Sequence, residues 1–245
     1  MSTKDRLIKR LQDGGFKAII FDFDGTLVDI SEALHKSVEE VFEYYKIEAD
    51  VDKTIVEIAA LLETMQGYPL PKIILQSYDM FKYITTLESL SFLKKLRVAA
   101  KMFSKFLTYA EDAPLFPNTI KLIKKLKKSS DLYIVSHNQT KNIIDRLEIE
   151  GIVDYFKGIY GADLLPELKP SPNSLLPVFE NYKTSRVDDF VMIGDMPSDI
   201  EAGQEAGIWT IAIASGVSNK EVLNNTGANL IVDSLNNLLE LIEKK

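Results

Sequence analysis

Two textures alternate along this chain. In one, short apolar runs stop abruptly at glycine, serine or aspartate. In the other, apolar residues recur every three or four positions. The runs Ala18–Phe21, Leu132–Val135, Phe190–Ile193 and Ile208–Ile213 read as buried strands, with a shorter one at Gly158–Tyr160. Helical stretches separate them. One starts at Pro117-Asn118 and runs through Lys128, and another covers about Gln139 to Glu150. A third, Pro172 to Tyr182, opens with proline in its first turn. A fourth runs from Pro197 to Ala206 and stops at Gly207, and a last one spans Leu235 to Glu243. Strands alternating with helices predict an α/β fold: a parallel sheet with helices on both faces and right-handed crossovers.

Between Ser31 and about Asp112 the texture is helical throughout. Leu34, Val38, Val41, Phe42 and Tyr45 fall at helical spacing, as do Ile55, Ile58, Leu61, Leu62 and Met65, and a further run spans Leu87 to Tyr109. Gly67-Tyr68-Pro69-Leu70-Pro71 breaks this region in the middle. The expected organisation is an α/β core of residues 1–29 and 114–245 with a helical insert at 30–113. Hinges are expected near Val28–Ser31 and Ala113–Pro117, where the chain crosses. Tyr44, Tyr45, Tyr68, Tyr78, Tyr83 and Tyr109 read as packing residues of the insert. Lys94, Lys95, Arg97, Lys101 and Lys105 read as a solvated basic face. Ahead of the first strand, Leu7, Ile8 and Leu11 predict a short surface helix that stops at Gly14-Gly15.

Composition narrows the function. A net charge of −7 argues against a general nucleic-acid binder. With no cysteine, disulfides, thiolate nucleophiles and Cys-ligated zinc are excluded. The N-terminus is charged and lacks an apolar core of signal-peptide length, and no apolar run approaches a membrane span. The expectation is a soluble cytoplasmic protein with no membrane partner. Oligomeric state is not legible.

The chemistry concentrates where strands end. In Phe21-Asp22-Phe23-Asp24-Gly25-Thr26, two carboxylates two residues apart project to one side of a strand's C-terminal end, where open α/β sheets bind ligands. A hard cation such as Mg²⁺ would relieve their repulsion, whereas the bland alternative is a solvated Asp-Gly turn. A calcium EF-hand loop is a poor fit, because Leu27 and Ala33 occupy the positions that need glycine and glutamate. Gly194-Asp195-Met196-Pro197-Ser198-Asp199 adds two carboxylates, with Asp199 on the first turn of a helix. Ser136 follows a buried strand and suits either a phosphate contact or a helix cap. Lys169, next to Pro170, suits a carboxylate and a phosphoryl group in an acidic pocket.

In this order, Asp-x-Asp-Gly-Thr, a strand-ending Ser, Lys-Pro and Gly-Asp-x-x-x-Asp resemble the four motifs of the haloacid dehalogenase superfamily. The helical insert resembles the mobile cap of its phosphoglycolate phosphatase and β-phosphoglucomutase subclass. The tail from Asp199 to Gly207, with Thr210 and Gly216, is similar to that subclass too. The resemblance implies a Rossmann-like core and a Mg²⁺-dependent phosphatase acting on a small phosphorylated metabolite. Asp22 would be the nucleophile and Asp24 the acid and base. Asp22, the backbone carbonyl of Asp24, Asp195 and Asp199 would hold the metal. Gly25, Thr26, Ser136, His137 and Lys169 would surround the phosphate, His137 as a loop residue near the entrance. Tyr68 and Lys72 are weaker candidates for substrate contacts. A phosphomutase is the alternative, though the histidine position usual in mutases holds Leu34 here, with His35 one residue on. A non-catalytic phosphometabolite-binding protein is a third reading.

Overall fold

Phe21, the last residue of the first strand, has Ile134 on one side of it and Ile193 on the other, and both neighbouring strands run parallel to its own. The computed structural model describes residues 1–64 and 84–244, among which six strands form one sheet. They are β1 (Ala18–Phe21), β2 (Asp131–Val135), β3 (Phe156–Tyr160), β4 (Phe190–Gly194), β5 (Trp209–Ile213) and β6 (Leu230–Val232). The order across the sheet is β3-β2-β1-β4-β5-β6, with every neighbouring pair parallel. The chain thus builds outward from β1 through β2 to β3, then returns to place β4 on the other side of β1. This reversal is the switch point at which sheets of this kind hold ligands, beyond the strands' carboxyl ends. The fold is α/β and Rossmann-like, as the alternating pattern predicts.

The continuous apolar runs are explained by burial on both faces. Ala18, Ile20, Tyr133, Val135, Phe190 and Met192 share one face and pack with Leu175 and Val178. Ile19, Phe21, Leu132, Ile134, Val191 and Ile193 alternate with them and are also buried.

Helix boundaries depart from the sequence reading in instructive ways. The helix after Pro117 runs Thr119–Leu126, because Asn118 takes a left-handed φ of 66°. Between Pro172 and Tyr182 the chain forms a 3₁₀ turn (Pro172–Leu175) and then a single α-turn (Leu176–Phe179). Pro177 has no N–H with which to extend an α-ladder through this stretch. The helix Lys220–Asn224 and the edge strand β6 have no counterpart in the sequence reading. The final helix, Leu235–Glu243, lies where expected. The first helix, Thr3–Gln12, begins with a Ser2/Asp5 capping box, and Gln12 Nε2 donates to Leu241 O and Lys244 O at 2.8 and 2.6 Å.

The chain divides into two compact units, Met1–Asp29 with Leu115–Lys245, and Ile30–Pro114. In the second, the described helices are Ser31–Tyr45, Val51–Thr64 and Phe92–Ala110. Val38, Val41, Phe42, Ile84, Leu87, Val98 and Met102 form its core. Its basic helix is partly paired. Lys105 contacts Glu40, and the Lys101 ammonium lies 3.8 Å from the ring centre of exposed Tyr44. The break at Gly67–Pro71, with Tyr68, Lys72, Tyr78 and Tyr83, lies outside the described residues. Among the described residues, no helix is long and apolar enough to cross a membrane.

Candidate active site

Three strands deliver the site residues to one edge of the sheet. Asp22 directly follows β1, and its N–H donates to Ile193 O at 2.9 Å, so sheet pairing continues to the nucleophile candidate. Ser136 directly follows β2 and donates its N–H to Tyr160 O at 3.0 Å. Asp195 directly follows β4, and Asp199 sits on the first turn of the helix Pro197–Glu205. Lys169 comes from the segment after β3, just before a cis Lys169–Pro170 peptide.

These groups meet as an ionic cluster. Lys169 Nζ lies 2.8 Å from Asp22 Oδ1 and 2.6 Å from Asp199 Oδ1, with the lysine side chain only 1% exposed. Asp22, Asp195 and Asp199 are buried, and each offers an oxygen within 4.8 Å of the others. Three buried carboxylates around one ammonium leave an excess of negative charge. Burial alone would lower the Lys169 pKa, but the charges of Asp199 and Asp22 outweigh it and hold the ammonium protonated.

The same imbalance acts on the acids. Burial first, then the charges of Asp22 and Asp199, pushes Asp195 well above the usual carboxylate range. Asp199 rises to about 6, chiefly through burial, although Lys169 and the Met196 N–H oppose the shift. Asp22 Oδ1 is buried without a well-aligned hydrogen bond, its contact with Lys169 being an ion pair. A hard divalent cation fits this donor set, which is all oxygen and carries more negative charge than Lys169 balances.

Asp195 is held through both of its carboxylate oxygens. Its Oδ1 accepts the Thr26 hydroxyl at 2.6 Å, and its Oδ2 accepts the Val217 N–H at 2.8 Å. A Cβ at Gly25 or at Gly216 would fall 2.3 or 2.2 Å from Asp195 Oδ2, so both residues must lack one. Gly25 also has a φ of +79°, which glycine adopts readily. Likewise, a Cβ at Gly194 would strike the Asp199 carboxyl at 2.2 Å.

Thr26 and Gly25, expected near the phosphate, both lie against Asp195. The Thr26 hydroxyl is fully buried and donates to Asp195, and the Gly25 N–H is bonded to Val28 O at 2.9 Å. The Asp24 carboxylate stays outside the three-acid cluster, as suits a residue expected to offer a metal only its backbone carbonyl, and its Oδ2 accepts the Asn138 side-chain amide at 2.8 Å. Burial and the charge of Asp22 raise Asp24 to about 6, and the Asn138 hydrogen bond opposes them. Ser136 is buried, and its Oγ accepts the Asn138 N–H at 3.2 Å. His137 keeps one side exposed in its loop, but its imidazole lies against the Lys169 backbone, and burial there together with the Lys169 charge pushes it down to about 4. Asn138, missed as a site residue, is the one that turns toward Asp24. Its type and its place two residues after Ser136 were the available signals.

Comparison with known proteins accords with this geometry. Residues 19–213 match the model of the haloacid dehalogenase-like hydrolases. The chain is 24% identical over 233 residues to a phosphoglycolate phosphatase from Vibrio parahaemolyticus, covering 92% of this chain and 96% of that protein. It is 26% identical over 235 residues to one from Escherichia coli, covering 91% of each. A haloacid dehalogenase-like hydrolase structure from Streptococcus pneumoniae superposes with a TM-score of 0.68 at 26% identity, covering 93% of this chain and 99% of that one. The switch-point carboxylates, the buried lysine and these likenesses agree: the chain belongs to the haloacid dehalogenase-like hydrolase family.

Proposed function

We propose that this phosphatase hydrolyses a small organic phosphate monoester, such as phosphoglycolate or a sugar phosphate, in the cytoplasm and with Mg²⁺. The observation that carries the reading is the buried Lys169 paired with Asp22 at 2.8 Å beside a cluster of three carboxylates. Charge neutralisation and in-line positioning are what phosphoryl transfer chiefly requires.

Asp22 attacks phosphorus through a carboxylate oxygen while the bond from phosphorus to the leaving oxygen breaks. Asp24, raised to about 6, gives its proton to that oxygen, and the alcohol departs. Asp24 then takes a proton from water as the water attacks phosphorus and the Asp22–phosphorus bond breaks. Inorganic phosphate leaves and Asp22 is a carboxylate again. Ser136 and Lys169 hold phosphoryl oxygens, and Lys169 also keeps Asp22 aimed. Asp22, Asp195 and the Asp24 backbone carbonyl would hold Mg²⁺, with Asp199 in support. The ion supplies charge neutralisation for the phosphoryl oxygens when bound.

Residues 30–113 act in this reading as a cap that excludes water and selects substrates. The phosphomutase alternative lacks comparable support. His35, the histidine nearest the mutase position, lies 3.4 Å from Asp52 and 3.9 Å from Glu39 within its own unit.

Phosphate release from an aryl phosphate and a panel of metabolite phosphates, with Mg²⁺ and with EDTA, tests the proposal. Turnover should depend on the metal and vanish in Asp22→Asn. A folded protein that releases no phosphate from any compound would refute it.

A further inference from the structure

Asn138 makes more contacts around the site than its place in a loop suggests. Its side-chain amide donates to Asp24 Oδ2 at 2.8 Å, and its Oδ1 accepts the Gln139 N–H at 2.7 Å. Both ends of the amide are therefore fixed. Its backbone N–H donates to Ser136 Oγ at 3.2 Å, which leaves the serine its own proton to donate. One residue thus touches both the acid–base carboxylate and the hydroxyl assigned to the phosphoryl group.

The turn that carries Asn138 is braced from behind. Ala162 N–H donates to Asn138 O at 2.8 Å. Thr140 donates its N–H and its hydroxyl to Asp163 Oδ1 at 2.7 and 3.0 Å, and its hydroxyl oxygen accepts the Gly161 N–H at 2.9 Å. The approach is so close that a Cβ at Gly161 would fall 2.3 Å from Thr140 N and 2.5 Å from Asn138 O. The two segments follow the paired strands β2 and β3, and their backbones stay hydrogen-bonded past the strand ends. The result is a rigid mount for one amide group.

We propose that Asn138 is a positioning residue that aims the Asp24 carboxylate at the leaving oxygen, with the Gly161–Asp163 turn as its brace. This rests on the reading of Asp24 as the acid and base of a two-step phosphatase. A carboxylate free to rotate is often misdirected when the proton must move, and geometric errors of this kind cost about a hundredfold in rate.

Leaving-group chemistry tests the assignment. An alkyl phosphate needs its leaving oxygen protonated, whereas 4-nitrophenyl phosphate expels a stable phenolate with little help. Breakdown of the aspartyl-phosphate needs Asp24 as a base in both cases. In Asn138→Ala, kcat on the alkyl phosphate should fall about a hundredfold, with KM changed by less than about twofold. On 4-nitrophenyl phosphate the same variant should release a burst of nitrophenolate stoichiometric with enzyme, followed by slow turnover. Asn138→Asp, which keeps the side chain's size but loses the donor, should behave likewise and serves if the alanine variant does not fold.

A raised KM with unchanged kcat would overturn the proposal in favour of a substrate contact. Equal losses on both substrates without a burst, in a folded variant, would overturn it in favour of a purely structural role. An inactive wild-type protein would overturn the phosphatase reading itself and this assignment with it. An active wild type with indifferent variants would overturn this assignment alone.

Discussion

Lys169 Nζ lies 2.6 Å from Asp199 Oδ1, in a pair that water scarcely reaches. Removing the cation from such a pair leaves a buried charge uncompensated, a loss of about 3–5 kcal/mol. Lys169→Met is expected to unfold at lower urea and to lose phosphatase activity. Adding Asp22→Asn to it should recover part of the stability, since the double variant removes one of the stranded negative charges, but none of the activity. Urea midpoints of the two variants check this. A single variant as stable as wild type would contradict it.

The Asp195 cradle makes a second prediction. Gly216→Ala would drive a methyl group into Asp195 Oδ2, 2.2 Å away. Displacing a group that orients a metal ligand typically weakens metal affinity by about 10–100-fold. The Mg²⁺ concentration for half-maximal activity should rise by that order. Phosphate-release assays across a Mg²⁺ series measure it, and an unchanged midpoint would mean that Asp195 is not a ligand.

Thr26 gives a finer test of the same carboxylate. Thr26→Val keeps the shape but removes the hydroxyl donor at 2.6 Å. A buried carboxylate deprived of one hydrogen bond should destabilise the protein by about 1–3 kcal/mol. Thr26→Ser should retain most of the lost stability. Thermal unfolding of both variants with Mg²⁺ and with EDTA would show whether the hydroxyl, rather than the methyl group, matters.

Stability should also respond to pH in a direction set by the raised acids. Asp24 and Asp199 bind protons more tightly folded, at about 6, than unfolded. Their contribution is fully present below the unfolded carboxylate pKa and is lost as pH rises through about 6. Mg²⁺ competes with protons for the same cluster. The rise in Tm on replacing EDTA with Mg²⁺ should therefore be larger at pH 7.5 than at pH 5. Carboxylates elsewhere act alike in both conditions and cancel. A metal effect independent of pH would contradict the assignment.

Much of the sheet was legible because each strand is an apolar run with a polar stop, and those stops are the site. Asp22, Ser136 and Asp195 follow their strands directly, so a pattern with no spatial information still located them. Lys169 was legible only through its motif, since nothing local distinguishes it from the chain's other lysines. What periodicity cannot convey is side-chain direction within a turn. Adjacency to Ser136 favoured His137, but it is Asn138 that the turn brings to the Asp24 carboxylate. The partnership of Thr26 with a carboxylate 169 positions away was equally hidden, because it arises from the β1–β4 register. The strand β6 escaped notice because three residues, Leu230–Val232, carry too little pattern to separate a strand from a loop.

The chain leaves the sheet unit after Asp29 and rejoins it at Leu115, where Val28 pairs antiparallel with Leu115 and Phe116 N–H donates to Leu27 O at 2.9 Å. The two ends of the excursion are thus stitched together at its root. Everything between them is a detour whose length the sheet does not register. A short turn from Val28 to Leu115 would preserve every strand, every crossover and the order in which the four motifs are read. A longer, shorter or different detour could therefore be carried at this one point without rethreading the sheet or displacing the strand ends that hold Asp22, Ser136 and Asp195.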